Sequence, residues 1–390
     1  MVMEEIPILK NLPQGEDSCH QFKRDFENVD SLAAEMVAFS NGLGGKIFVG
    51  VNDDGSVCGL KPLEIRRINQ LISNAASQHV KPAINPLTAL YTIDGQQILV
   101  IEIVQGLNKP YQDKNGTIWV KSGSDKRRAT SREEMQRLFQ RSGLIHADEG
   151  VVPSATIRDI DFFVFGEFFE KEFEESLDEQ ESSREQILEN MNLIKNGIPN
   201  LAGLLLFGKN NQFKLPAFVV KCVCYPGNDI DEDRYLESED NSGPIASVFQ
   251  KTVAFLNRNI RSLQGDQGVN SLGIKEIPKI VFEELIANAL IHRDYFISAP
   301  IRIFIFKNRI EIISPGHLPN NLSIANVKAG NSNIRNPILA SYATKLLPYR
   351  GLGNGIRRAL KAYPMIDFID DTAGNLFQCT IGRHCDPETS

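Results

Sequence analysis

Several protein classes are excluded by what this 390-residue chain lacks. It has no run of about 18 apolar residues, which a membrane-spanning helix requires. The Met1–Lys10 start has no apolar core of the kind found in signal peptides, and no internal repeat or low-complexity tract occurs. The net charge of −7 excludes a wholly basic, histone-like binder but leaves room for a local basic patch. We therefore expect a soluble, cytoplasmic protein without membrane contact.

Cysteine is scarce and has no metal-site spacing. The six cysteines include no CxxC pair. Cys222 and Cys224 alternate in an apolar run, so both are expected on one face of a strand. This pattern favours reduced, buried thiols over zinc ligands or disulfides.

What is present is an ordinary globular composition, with 42% hydrophobic and 23% charged residues. A chain of this length is expected to form about two or three domains. Changes in sequence character along the chain predict three domains, at 1–142, 143–273 and 274–390. Helices mixed with antiparallel hairpins predict an α+β fold.

The first stretch combines helices with hairpins. Asp30 is a candidate N-cap for a helix over Ser31–Phe39, and a strand is expected over Lys46–Val51. A second helix is expected over 62–79. Turns at Asp94-Gly95 and Asn115-Gly116 predict two further hairpins.

The second stretch contains an acidic segment. Residues 167–189 hold ten acidic and two basic residues, and phenylalanines precede or interleave with them. A helix with a buried aromatic stripe and a solvated acidic face is expected, with partner docking as the alternative. Strands are predicted over Leu204–Gly208 and Ala217–Tyr225, and a helix over Ile245–Ile260.

A buried helix is predicted over Ile280–His292 because the segment is apolar nearly all round. At 100° per residue, Glu284 and Asn288 lie only about 40° apart on its surface. A carboxylate and an amide inside a buried arc are costly unless something binds them. Either backbone and water satisfy them, or they form a magnesium and phosphate site.

Glycine-rich loops follow this helix. The segment Gly351–Gly355 has the spacing G-x-G-x-G before a predicted helix, which suits a backbone that approaches phosphate. Ser314-Pro315-Gly316 ends a predicted strand and is also able to approach a ligand. The pattern G-x-x-x-x-G-K-[ST] is absent, so a P-loop is unsupported.

These motifs together resemble the GHKL ATPase superfamily, most closely a small bacterial branch carrying E-x-x-x-N-A-x-x-H-R-D-Y, which here is Glu284–Tyr295. The resemblance implies a Bergerat-fold α/β sandwich that binds ATP and Mg²⁺. It implies Glu284 as general base and Asn288 as magnesium ligand. The residues expected at the nucleotide are Asn288, Ser314, Gly316, Arg335, Gly351, Gly353 and Gly355.

Two features of this region set it apart. The superfamily usually has Asp where Ser314 stands, and a hydroxyl accepts one bond without carrying charge. The loop 320–336 is expected to act as a lid, with Lys328 and Arg335 as its charged residues. Hydrolysis of ATP is left open at this stage.

A basic cluster ends the first stretch. Residues 121–141 carry seven basic and three acidic residues, an arrangement that attracts phosphates. Trp119 and Tyr111 are candidates for stacking on bases. The alternative is a solvated basic surface with Trp119 in the core.

A second resemblance covers about residues 12–140. The segments Gln21-Phe22-Lys23, Ala38–Asn41, Gly44–Val51 and Lys121–Ser124 look like a Schlafen AlbA-type domain. This family is linked to DNA or RNA binding. The residues expected to contact nucleic acid are Lys23, Lys121, Lys126, Arg127 and Arg128.

Some members of that family are metal-dependent ribonucleases. Their carboxylate cluster has two glutamates about five residues apart and a later aspartate. Glu16 and Asp53 match, whereas Gln21 replaces the second glutamate, and an amide is a poorer magnesium ligand. Binding is therefore favoured over cleavage.

Both resemblances together imply an α/β Schlafen AlbA-like domain, an α/β middle region and a GHKL domain, as in bacterial proteins described as transcriptional regulators. We expect a nucleotide-gated protein that binds DNA more readily than RNA and is able to form a homo-oligomer. One alternative is a nuclease, in phage defence, triggered by the ATPase domain. Another is a protein-interaction module with a degenerate nucleotide site.

Overall fold

The structure, a computed structural model, describes residues 15–141, 143–230, 234–263, 273–319 and 322–383. Its contacts divide the chain after Ile145 into two compact units. Helices and strands mix in both, as the predicted α+β class requires. No helix in these described ranges is both long and apolar enough to cross a bilayer.

The first unit is built on a four-stranded sheet of order β1-β2-β5-β4. The strands are β1 (His20–Lys23), β2 (Gly44–Val49), β3 (Val80–Lys81), β4 (Leu87–Ile93), β5 (Gln96–Val104), β6 (Gln112–Asp113), β7 (Trp119–Ser122) and β8 (Asp125–Arg128). The helices are α1 (Val29–Asn41), α2 (Pro62–Asn74), extended by a π-turn at Ala75–His79, and α3 (Arg132–Arg141). In the main sheet β1 is parallel to β2, and the other pairs are antiparallel.

Helix α1 begins earlier than predicted. Its N-cap is Asn28, whose side chain accepts a hydrogen bond from the backbone N–H of Asp30, so the assignment of Asp30 as the cap is wrong. Asn and Asp cap equally well, and a sequence offering both within three residues does not decide between them. At the other end, Asn41 donates to the carbonyls of Tyr111 and Trp119, each at 2.8 Å. This side chain fixes β7 against the helix.

The second unit is built on a six-stranded sheet of order β12-β11-β15-β16-β18-β17. The strands are β9 (Ile194–Lys195), β10 (Ile198–Pro199), β11 (Val220–Cys224), β12 (Glu237–Asn241), β13 (Ser262–Leu263), β14 (Ile274–Lys275), β15 (Ile301–Ile305), β16 (Arg309–Pro315), β17 (Ile366–Asp371) and β18 (Leu376–Gly382). The helices are α4 (Phe162–Phe173), α5 (Arg184–Asn190), α6 (Leu201–Phe207), α7 (Asn211–Lys214), α8 (Ile245–Arg258), α9 (Lys279–His292), α10 (Ile324–Lys328), α11 (Pro337–Leu346) and α12 (Gly355–Ala362). Short 3₁₀ turns cover Ala147–Glu149, Ile157–Asp159 and Leu177–Glu179.

The large sheet runs across the predicted bound at 273/274. Strand β11 pairs in parallel with β15, while the other pairs of this sheet are antiparallel. Cys222 and Cys224 of β11 are both buried, as the alternation predicts. The structure has two compact units where the sequence predicts three domains, and the bounds 1–142, 143–273 and 274–390 stay a prediction.

Two expectations for the middle stretch are wrong. Leu204–Gly208 is not a strand, because its first four residues lie in α6 and Gly208 is the C-cap of that helix. The Asn200 side chain accepts from the N–H of Gly203 and caps the other end. A short apolar run buried on all sides has no periodicity that separates helix from strand. The acidic segment 167–189 is not one helix, because Glu174 adopts a left-handed conformation (φ 58°) that ends α4.

Helix α9 lies in the core of the second unit, as its apolar surface predicts. Val281, Phe282 and Ala287 are fully buried there. The helix packs against α8 and α12. This position places the polar side chains of α9 beside the glycine-rich segment from which α12 begins.

Candidate nucleotide site and basic surface

The polar residues of α9 line a cavity of about 1030 Å³, a volume that includes its open mouth. The walls combine α9, the end of β16, the segment 331–335 and the loop 349–355. All eight residues that the sequence assigns to the nucleotide line this cavity. They are Glu284, Asn288, Ser314, Gly316, Arg335, Gly351, Gly353 and Gly355.

Glu284 is the buried acid of this cavity. Only 2% of the residue is exposed. Burial raises the pKa of its carboxyl group above the ordinary value, and the nearby charge of Arg358 opposes that shift. A carboxylate in such a setting is a stronger base than a solvated one, which suits a group that orients or deprotonates water.

Asn288 lies one turn after Glu284. Its side-chain nitrogen donates to the Glu284 carbonyl at 2.6 Å, and this bond does not use its side-chain oxygen. Within the described ranges no group of three His, Cys, Asp or Glu residues is placed to hold a metal. A magnesium ion here would therefore use the Asn288 oxygen together with phosphate oxygens and water, an arrangement that this ion favours.

The glycine loop approaches both side chains closely. A Cβ atom at position 355 would overlap Oε2 of Glu284 and lie 3.2 Å from the side-chain nitrogen of Asn288. Gly353 has a positive φ of 69°, and a Cβ there would overlap the carbonyl oxygen of Gly330. The glycines of the G-x-G-x-G spacing are thus explained by neighbouring atoms that lie close to the loop backbone. Segment 329–333 is in contact with this loop.

Ser314 lies at the apolar end of the cavity. It is buried, and its hydroxyl donates to the carbonyl of Ala289 across 3.4 Å. The hydroxyl proton is therefore used by the protein, while the oxygen lone pairs are not. Ile312, Phe368 and Phe377 supply apolar surface to the same cavity. This end fits a flat, apolar group that offers one hydrogen-bond donor.

Arg335 makes contacts that differ from those expected of a free phosphate ligand. Its guanidinium donates to the carbonyls of His317 at 2.8 Å and His292 at 3.4 Å. The next residue, Asn336, is completely buried and donates to the carbonyls of Ile291 and Arg293. Arg335 and Asn336 therefore brace the end of α9 as well as bordering the cavity.

His292 borders the cavity from the last turn of α9. Burial, assisted by the charge of Arg335, lowers the pKa of this histidine to about 4. Its Nε2 lies 3.0 Å from the hydroxyl of Tyr349. His292 is consequently neutral near pH 7 and is unsuited to hold phosphate by charge.

In the first unit, Glu16 and Gln21 are brought together. The Gln21 side-chain nitrogen donates to Glu16 Oε1 at 2.5 Å, and Gln21 Oε1 accepts from Lys121 Nζ at 2.7 Å. Lys23 lies 3.8 Å from the same Glu16 oxygen. Asp53 is exposed on the turn after β2 and contributes to no acidic trio among the described residues.

A buried acid that the sequence did not indicate lies beside this group. Glu35 of α1 is 3% exposed and pairs with Lys126 at 2.6 Å. Its charge also acts on Lys121, whose pKa is lowered mainly by burial. Glu35 was missed because it sits among apolar positions of α1, and its partner is 91 residues away.

The other predicted contacts to nucleic acid are distributed unequally. Arg127 pairs with Glu134 at 2.7 Å. Arg128 pairs with no acid in the described part of the chain and lies 5.3 Å from the ring of Trp119. Tyr111 is buried in the core of the unit, so its proposed stacking on bases is wrong, whereas Trp119 is half-buried.

Two family models match this chain. The model of the Schlafen AlbA_2 domain matches residues 16–130. The model described as "Putative ATP-dependent DNA helicase recG C-terminal" matches residues 298–368. No curated protein matches the chain.

Fifteen chains of solved structures are similar to this chain, and two of them are as follows. The DIP2311 protein from Corynebacterium diphtheriae is 20% identical, with 96% of this chain and 78% of that chain covered and a TM-score of 0.48. The second is the N-terminal domain of a "Putative ATP-dependent DNA Helicase RecG-related Protein" from Nitrosomonas europaea. It is 26% identical over 32% of this chain and 93% of that chain, with a TM-score of 0.23. By its family models, this chain combines an amino-terminal Schlafen AlbA_2 domain with a carboxy-terminal domain of the recG C-terminal, HATPase_c_4 family.

Proposed function

We propose that this chain is a cytosolic, ATP-binding and nucleic-acid-binding protein whose nucleotide site gates the nucleic-acid surface. Its use as a transcriptional regulator belongs to the same proposal. The observation that carries it is the convergence of eight predicted residues from four separate motifs on one cavity. The printed description of the carboxy-terminal match, "Putative ATP-dependent DNA helicase recG C-terminal", is compatible with nucleotide and nucleic-acid chemistry.

The cavity supports a GHKL-type assignment of roles. Glu284 is the candidate base, Asn288 the candidate magnesium ligand, and the loop 351–355 the candidate phosphate cradle. When bound, Mg²⁺ would shield phosphate charge and help to orient the triphosphate. Ser314 would accept a hydrogen bond from the amino group of adenine, since its own proton already goes to Ala289.

Binding of nucleic acid is favoured over its cleavage. The position expected for a second carboxylate is Gln21, and its amide bridges Glu16 and Lys121. The ammonium group of Lys121, bonded to Gln21, and that of Lys23, 3.8 Å from Glu16 Oε1, therefore offset the charge of this cluster. Arg128, exposed beside Trp119, offers a cation and a ring edge to a nucleotide strand.

Fluorescent mant-ATP titration of the full chain with Mg²⁺ tests the nucleotide site. We expect saturable binding by the wild type and a loss of at least tenfold in affinity for Asn288→Ala. Asn190→Ala, an exposed asparagine at the end of α5, is the matched control and is expected to bind normally. Absence of binding by the wild type would refute the proposed nucleotide function.

Gating is tested separately with a DNA oligonucleotide. We expect its affinity to change several-fold when the non-hydrolysable analogue AMP-PNP is present with Mg²⁺. An unchanged affinity would refute gating while leaving nucleotide binding intact.

A further inference from the structure

Arg358 forms the closest charged contact of Glu284. Its Nη2 lies 2.6 Å from Glu284 Oε1. Glu284 is on α9, whereas Arg358 lies on α12, three residues after Gly355. Arg358 belongs to none of the motifs described above, although its place one turn after the glycine loop is a usable signal.

This ion pair is matched in charge but poorly matched in hydrogen bonding. Arg358 Nε is buried and has no hydrogen-bond partner among the described residues, and the contact of Glu284 Oε1 with Arg358 Nη2 lacks good hydrogen-bond geometry. A buried polar atom without a partner carries a desolvation cost that a better ligand would recover. About a third of the Arg358 side chain remains exposed, so the guanidinium has room to move.

The surroundings indicate which ligand would recover that cost. Glu284, Asn288, Arg358 and the glycine loop all line the same cavity. Arg350 also lies near enough for its charge to act on Glu284. Among the charged side chains that line the cavity, Arg335, Arg350 and Arg358 outnumber Glu284, and this excess suits an anion. A guanidinium binds phosphate oxygens in a paired geometry that a lysine lacks.

We propose that Arg358 is a phosphate-binding residue that pairs with Glu284 until the terminal phosphate of a nucleoside triphosphate replaces Glu284 as its partner. The proposal rests on the proposed nucleotide function and adds a competition to it. Ionised Glu284 and the triphosphate compete for one guanidinium. Binding of the triphosphate therefore frees the Glu284 carboxylate at the moment when the substrate phosphate arrives.

A permanent brace between α9 and α12 is the rival explanation. In that case the ion pair stabilises the fold and takes no part in ligand binding. A second rival is direct repulsion between the Glu284 carboxylate and phosphate, without any exchange of partners. The three explanations differ in how the effect of the Glu284 side chain on nucleotide affinity should depend on the presence of Arg358.

A double-mutant cycle separates them. Isothermal titration with AMP-PNP and with ADP, both with Mg²⁺, is carried out on full-length wild type, Glu284→Gln, Arg358→Met and the double variant. We expect Arg358→Met to weaken AMP-PNP binding at least tenfold and ADP binding less than threefold. We expect Glu284→Gln to tighten AMP-PNP binding several-fold in the wild-type background and to have no effect in the Arg358→Met background.

Other results overturn the proposal in distinguishable ways. An equal effect of Glu284→Gln in both backgrounds indicates simple repulsion. Equal losses for AMP-PNP and ADP in Arg358→Met, together with a lowered Tm, indicate a structural brace. Normal AMP-PNP binding by Arg358→Met refutes the role of Arg358 alone, whereas no binding by the wild type refutes the nucleotide function and this proposal together. Arg357→Met, an exposed neighbour on α12, is the control for loss of one positive charge.

Discussion

Asp148 accepts a hydrogen bond at 3.0 Å from the backbone N–H of Leu339, a residue 191 positions later in the chain. Leu339 lies in the first turn of α11, where backbone N–H groups have no partner within the helix. The side chain of the N-cap residue, Asn336, does not cap α11, because it donates to carbonyl groups at the end of α9. Asp148 therefore replaces the local cap and ties the start of the second unit to the segment that borders the cavity.

The Asp148 carboxyl predicts a pH-dependent stability. Burial raises its pKa to about 6 in the folded protein, against 3.8 as the ordinary value. Because the folded state holds the proton more tightly, this group favours folding more as the pH falls from above 6 toward 4. At pH 7.5 its ionisation costs at most about 3 kcal/mol of unfolding free energy.

Asp148→Asn keeps an acceptor for Leu339 and removes the charge. We expect it to raise the unfolding free energy relative to wild type at pH 7.5 and to lose most of that advantage at pH 4.5, measured by urea denaturation. The gain in unfolding free energy should stay below about 3 kcal/mol. The new amide group would be buried where Asp148 Oδ1 has no hydrogen bond, and this lowers the gain. Asp148→Ala removes the acceptor and should destabilise at both pH values. A difference between Asp148→Asn and wild type that is the same at both pH values would contradict this account.

Gly355 is expected to tolerate no side chain when nucleotide binds. Its Cβ would overlap Glu284 Oε2 and crowd Asn288. We expect Gly355→Ala to weaken mant-ATP binding at least tenfold and to lower the Tm by a few degrees at most. Gly227→Ala is the matched control, because that position has open space and no positive φ, and it should bind like the wild type. Normal binding by Gly355→Ala would place the phosphates elsewhere.

Trp119 is the single tryptophan of the chain and lies beside Arg128. Binding of a single-stranded DNA oligonucleotide at this surface should therefore quench tryptophan emission. We expect Arg128→Ala to weaken binding and to reduce the slope of log affinity against log salt by roughly one. Arg66→Ala, an exposed arginine on α2, should leave both unchanged. Emission that does not respond to DNA bound under the same conditions would exclude this surface.

Gln21→Glu should make the thermal stability of the protein depend on a divalent cation. The new carboxylate would face Glu16 across a contact that is now a 2.5 Å hydrogen bond. Two carboxylates at that distance repel unless one is protonated or a cation lies between them. We expect the variant to have a lower Tm than wild type and to recover it in millimolar Mn²⁺, with no such effect of Mn²⁺ on the wild type. A variant insensitive to Mn²⁺ would show that Lys121 already neutralises both acids.

That the residues lining the Glu284 cavity would lie near one another in the second unit was partly predictable, because several of them obey local rules. The helical repeat puts Glu284 and Asn288 on one arc, and the glycine spacing marks a backbone that other atoms approach. Ser314 and Gly316 follow from their place at the end of a strand. These signals depend on neighbours within a few positions, which the sequence lists directly.

The partners of these residues were not predictable in the same way. Three contacts join residues that are far apart in the sequence. The separations are 74 residues for Arg358 and Glu284, 91 for Lys126 and Glu35, and 191 for Asp148 and Leu339. Such pairs depend on how helices and sheets pack, and no periodicity encodes them. Part of helix α6 was predicted as a strand for a related reason. When every residue is buried, the alternation of polar and apolar residues that distinguishes a strand from a helix is absent.

The parallel pairing of β11 with β15 has a practical consequence for dissecting the protein. Cutting the chain at 273/274 would strip β11 and β12 from the sheet and leave the backbone of β15 with unpaired N–H and C=O groups along one side. Exposed strand edges recruit other chains. A fragment meant to isolate the cavity lined by Glu284 and Asn288 should therefore start near His146 rather than at residue 274, so that the sheet keeps its own flanking strands.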